Sequence, residues 1–128
     1  MLLDSHKLSE TLKKKIPGLR LAYLFGSQTT DNVRPDSDLD LAILATVDMS
    51  DLTRYDLAQE LASEFNIDVD LIDLKTASTV LKAQIVGTGQ SIFCADEVER
   101  GYFEMYSLSD YARLNEERFE ILRELQGK

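Results

Sequence analysis

The sequence predicts an α/β domain, one small mixed sheet packed by helices with a helical C-terminal tail, and three observations carry that expectation. Stretches with apolar residues three or four apart alternate with stretches in which every second residue is apolar, the pattern of a sheet covered by helices. The breaks between them are sharp: Pro17-Gly18, a polar run from Gly26 to Ser37, and Gly87-Thr88-Gly89. The chain has 128 residues, 44% of them apolar, which gives one domain a real core but leaves no room for two.

The elements follow in order. Asp4 to Ile16 reads as a helix with Leu8, Leu12 and Ile16 on one face, stopped by Pro17-Gly18. Leu19 to Phe25 places Leu19, Leu21, Tyr23 and Phe25 at alternate positions and is a strand. Asp38 to Ala45 is a second strand. Ser50 can cap a helix running to about Phe65, with Leu57, Ala58, Leu61, Ala62 and Phe65 as its inward stripe. Ile67 to Leu74 is a third strand, Thr76 to Val86 a helix closed by Gly87-Thr88-Gly89, and Ser91 to Cys94 a short fourth strand. From Asp96 onward the chain is helical by composition, as one helix or as two, because Ser107-Leu108-Ser109-Asp110 has the form of a capping box. The single domain is thus expected to divide into a core of about 1–95 and a tail of 96–128.

Composition excludes several function classes. The net charge of −9, from 14 basic and 23 acidic residues, argues against direct nucleic-acid binding, which draws on clustered Lys and Arg. The one basic run, Lys13-Lys14-Lys15, ends the first helix, where it complements the helix dipole. Apolar runs such as Leu41 to Ala45 are far shorter than the roughly 20 residues of a membrane span. The N-terminus does not read as a signal peptide, and the lone Cys94 fits a reducing compartment, so a cytoplasmic location is expected. Cys94 lies in the apolar stretch Ile92-Phe93-Cys94 and reads as an inert buried thiol. His6, the one histidine, stands alone near the chain start and offers no zinc cluster.

The chemistry concentrates in Gly26-Ser27, ten residues, then Asp38-Leu39-Asp40. Asp38 and Asp40 are two apart on a strand and share a face, and crowding two carboxylates there costs repulsion unless a cation lies between them. Asp68 and Asp70 repeat the spacing on the third strand, so neighbouring strands would bring three carboxylates together. Hard oxygen ligands select Mg²⁺, or Mn²⁺, over softer metals. A glycine directly after a strand lets backbone N–H groups approach a phosphate, and the Ser27 hydroxyl adds a donor. A carboxylate-bound metal beside such a turn is what phosphoryl and nucleotidyl transfer require. Taken singly, a Gly-Ser turn or an Asp-x-Asp at a strand start satisfies only backbone needs. Together at this spacing they are far more specific.

These residues resemble the signature of the minimal nucleotidyltransferases of the DNA polymerase β-like superfamily: Gly-Ser, ten residues, Asp-x-Asp. The flanks are similar too, in the strand Leu21-Ala22-Tyr23-Leu24-Phe25, in Arg34-Pro35-Asp36-Ser37, and in Val69-Asp70-Leu71-Ile72-Asp73-Leu74. The resemblance spans about Leu19 to Cys94, and the acidic helical tail resembles that of the MntA antitoxins, which are encoded beside HEPN-family RNase toxins. It implies a polymerase β-like fold and transfer of AMP from ATP to a tyrosine of a cognate HEPN-family toxin, held with it in a hetero-oligomer. It implies that Asp38 and Asp40 hold both metals, that Asp70 rather than Asp68 is the third ligand and helps activate the attacking hydroxyl, and that Gly26 and Ser27 hold the triphosphate. The chain departs from many relatives at Thr29-Thr30-Asp31, where they have Ala-Arg-Gly, and this weakens the expected triphosphate contacts.

Two other functions compete. A non-catalytic antitoxin would mask its toxin by binding, using the tail. A small-molecule nucleotidyltransferase would need a closed pocket, for which this chain is short. Tyr102, Tyr106 and Tyr111 in the tail read as interface or core residues.

Overall fold

The computed structural model describes residues 4–26 and 38–127, and within them lie four helices and four strands, alternating except where the first two strands follow one another. Helix α1 (Ser5–Lys15) starts where the Asp4 carboxylate accepts hydrogen bonds from the backbone N–H groups of His6 and Lys7, at 3.1 and 3.2 Å. Lys13, Lys14 and Lys15 fill its last turn, at the negative end of the helix dipole. Strands β1 (Leu19–Phe25) and β2 (Leu39–Ala45) form an antiparallel pair. Helix α2 (Asp51–Phe65) is capped by Ser50, whose hydroxyl accepts from the Thr53 N–H at 3.1 Å, and ends at Asn66 in the left-handed conformation. Strand β3 (Val69–Asp73) lies parallel to β2, and the Leu74 N–H prolongs the pairing by donating to the Ile43 carbonyl.

Helix α3 (Thr79–Thr88) differs from expectation at both ends. It starts three residues late because Thr76 and Ala77 turn back onto the Asp73 carbonyl, leaving Ser78 to cap the helix. It also runs through Gly87 and Thr88, with Gly89 as its C-cap. Strand β4 (Gln90–Cys94) pairs antiparallel with β1, giving the order β3-β2-β1-β4. The tail is one helix, α4 (Glu97–Gln126), of 30 residues, about 45 Å long at the usual rise. The capping-box residues 107–110 are simply part of it, since Ser107 is buried against the domain rather than free to cap.

The sheet has helices on both faces. Ala22, Leu24, Leu39, Leu41 and Ile43 pack with Leu8 and Leu12 of α1 and Leu57, Ala58 and Leu61 of α2. Leu21, Tyr23, Ala42 and Leu74 pack on the other face with Ile85 of α3 and Phe103 of α4. Ala62 and Phe65 of the expected α2 stripe are only half-buried. Among the described residues no helix is long and apolar enough to cross a membrane.

Candidate active site

Strand pairing decides which acids meet. In the parallel ladder Asp40 stands opposite Asp70, and in the antiparallel ladder it stands opposite Phe25. Paired residues share a face, so Asp40 and Asp70 lie on the side that carries Ala42 and the α3–α4 core. Asp38, just before β2 and two residues from Asp40, follows the same parity. The chain thus brings Asp38, Asp40 and Asp70 to one end of the sheet, where β2 and β3 begin and β1 ends.

The charges feel one another. The Asp40 carboxyl is raised above its usual value, first by burial, then by the Asp70 carboxylate and then by that of Asp38. Asp70 and Asp38 are exposed, so the cluster opens to solvent and to an incoming substrate. Asp68 stands apart from this. It precedes β3, its carbonyl accepts from the Leu39 N–H at 2.7 Å, and it is not among the charges that raise Asp40. Asp73 is buried, but its carboxylate accepts from the Lys75 N–H at 3.0 Å and serves the turn after β3.

Gly26 closes the gap between turn and acid. It follows β1 with φ +75°, and a Cβ there would fall against Oδ2 of Asp40. Both the left-handed backbone and the contact with the carboxylate demand glycine. Ser27, expected to share the triphosphate with Gly26, lies outside the described residues, as do Thr29, Thr30 and Asp31.

Among the described residues no group of three or more His, Cys, Asp or Glu is placed to hold a metal ion. Mg²⁺ is commonly held by one or two carboxylates and completes its shell with water and substrate phosphates. A half-buried carboxyl whose proton affinity is raised by burial and by two neighbouring carboxylates belongs to a donor set that a hard cation would relieve, so the residues fit a cation such as Mg²⁺.

Two features escaped the sequence. The Tyr23 hydroxyl donates to Oε1 of Glu104 at 3.0 Å, and burial, then the Glu104 charge, pushes the phenol far above its usual value. Arg20 makes a forked pair with Glu99, with Nε 2.9 Å from Oε2. Both fasten the first half of α4 along β1. A buried Tyr calls for a polar partner, but nothing local says that it lies 81 residues away. A separate cleft of about 390 Å³, lined by Ile16, Met49, Asp56 and Leu57 among others, lies where β1 begins and β2 has ended. It is at the opposite end of the sheet from the acids, and its Lys15 is paired with Glu60 and Glu64.

Comparisons with known proteins show the family and the fold. The family model described as "Polymerase beta, Nucleotidyltransferase" matches residues 6–98. A protein of Shewanella oneidensis, "Protein adenylyltransferase MntA", is 37% identical over 125 residues, covering 98% of this chain and 89% of its own. Among solved structures, a toxin-antitoxin with AMP-PNP superposes with a TM-score of 0.86 at 37% identity, over 97% of this chain and 99% of that one. A complex of tri-AMPylated Shewanella oneidensis HEPN toxin with MNT antitoxin gives 0.78 at 36% identity, over 95% of each chain.

Proposed function

Because the chain belongs to the polymerase β-type nucleotidyltransferases, in their MntA antitoxin group, we propose that it neutralises a cognate HEPN-family toxin by transferring AMP from ATP to one of its tyrosines. The observation that carries this reading is Asp40, set opposite Asp70 in the ladder and pressed against Gly26. Asp38 and Asp40 would hold Mg²⁺ (or Mn²⁺) together with triphosphate oxygens, and Asp70 would share it. The metal supplies neutralisation of the triphosphate charge. Gly26, with Ser27 beside it in sequence, brings backbone donors to the phosphates. The acceptor hydroxyl attacks the α-phosphorus as the bond to the leaving pyrophosphate breaks. Its proton passes to the Asp70 carboxylate, which is exposed and returns it to water.

The protein acts in the cytoplasm as a hetero-oligomer with its toxin, without direct nucleic-acid contact. The free half of α4 gives the toxin a docking surface: Phe119, Ile121, Leu122 and Leu125 are all exposed there. The same surface is what a masking antitoxin would use, so catalysis itself must be tested. Incubating the protein with α-labelled ATP and a lysate containing the toxin should label one protein band of the toxin's size. A labelled small molecule would point to a different acceptor, and no label at all to masking.

A further inference from the structure

One tyrosine of α4, Tyr111, belongs neither to the metal site nor to the exposed docking surface. Arg100, Phe103, Glu104, Ser107, Tyr111 and Leu114 are withdrawn from solvent at intervals of three or four, a single inward stripe. Beyond Leu114 every described residue of the helix is exposed. Two contacts fix the level of this stripe against β1. Glu99 holds Arg20, and Glu104 holds Tyr23, so helix and strand run in the same direction.

From Tyr23 to Gly26 is three strand residues, roughly 10 Å. From Glu104 to Tyr111 is two helical turns, also roughly 10 Å. Seven residues return a side chain to within roughly 20° of its starting direction. Tyr111 therefore stands level with Gly26, on the sheet face that carries Asp40 and Asp70. The free half of α4 continues past it, beyond the end of the sheet where the acids lie. A protein docked on Phe119, Ile121, Leu122 and Leu125 would pass Tyr111 on the way along the helix to those acids.

We propose that Tyr111 contacts the acceptor segment of the protein substrate and steadies its hydroxyl before Asp70. This assignment rests on the AMP-transfer reading. The side chain suits that role, because a rigid ring gives contact area at little entropic cost and its hydroxyl both donates and accepts hydrogen bonds. Among the described residues that hydroxyl has no partner.

In the full chain, Tyr111→Ala should slow AMP transfer from the saturated toxin complex by on the order of tenfold to a hundredfold, the usual cost of a misplaced reactant. Affinity for AMP-PNP and for the toxin should stay unchanged, and Tyr111→Phe should recover most of the rate. An undiminished rate in Tyr111→Ala would overturn the assignment. A matching loss of AMP-PNP affinity would also overturn it, by making Tyr111 a nucleotide contact, and a matching loss of toxin affinity would reduce it to a docking residue. A photoreactive analogue at position 111 separates this question from activity. It should crosslink to the toxin's acceptor segment even if the wild type transfers no AMP, a result that would sink the functional reading alone. Crosslinking only elsewhere on the toxin would contradict the proposal.

Discussion

Strand β2 carries two kinds of position that act on the fold in opposite directions. Leu39, Leu41 and Ile43 face α1 and α2 and are buried in the larger core. Asp40, between them in sequence, faces the other way and meets Asp70, with Asp38 close enough to add its charge. The first set removes apolar surface from water and stabilises. The second crowds like charges at the strand ends and destabilises until a cation or a proton arrives. Crowding Asp40 against Asp70 does nothing for folding, and it falls at the position the proposed chemistry would use.

The contrast can be tested from its strong side to its weak one. Leu61, fully buried on α2, is part of the stabilising region. Leu61→Ala should cost about 2–5 kcal/mol, read from urea unfolding, and a loss below about 1 kcal/mol would show that this face is not the main core. Tyr23 joins the two regions, packed among apolar residues yet bonded to Glu104. Tyr23→Phe should cost about 1 kcal/mol and loosen the first half of α4, visible as faster amide exchange in residues 97–107.

The acid end gives the smallest effect on stability, with the reverse sign. Because the Asp40 carboxyl is raised in the folded state, the native protein binds that proton more tightly than the unfolded chain does. Below both proton affinities the group costs nothing. As pH rises through the ordinary carboxylate range and past the raised value, stability is lost, and the loss is complete above it. Asp38→Asn combined with Asp40→Asn should therefore raise the apo Tm slightly at pH 7, and the gain should vanish on acidification. The same variant should lose Mg²⁺ binding in the presence of ATP. A Tm that falls at pH 7, or metal affinity that persists, would break the contrast.

Much of this was legible in the sequence because period and spacing are local. The stripe Leu8, Leu12, Ile16 and the i, i+2 acids needed no knowledge of distant contacts. Asp68 and Asp70, two apart, are equivalent by spacing alone; the family resemblance favours Asp70, and strand pairing adds a geometric difference between them. There Asp70 falls opposite Asp40, while Asp68 lies outside the strand and uses its carbonyl to fix Leu39. The late start of α3 came from the Asp73 carbonyl collecting Thr76 and Ala77, a turn that competes with helix at those residues. The unbroken α4 followed from burial of Ser107, which tertiary packing decides and a local capping pattern does not. The links from Arg20 to Glu99 and from Tyr23 to Glu104 join residues about eighty positions apart, beyond the reach of any periodicity.

Whether these acids transfer AMP or merely line a binding surface turns on Asp70. Asp70 is exposed at the site and is not one of the apolar residues of the docking surface, so Asp70→Asn should leave toxin docking nearly intact. Removing one charged group from a metal-assisted transfer costs on the order of 10²–10³ in rate. The decisive measurement is the intact mass of the toxin after co-expression. With the wild type it should carry added AMP units, and with Asp70→Asn none, while growth arrest by the toxin returns. Full rescue of growth by Asp70→Asn with an unmodified toxin would contradict the account and leave masking as the function.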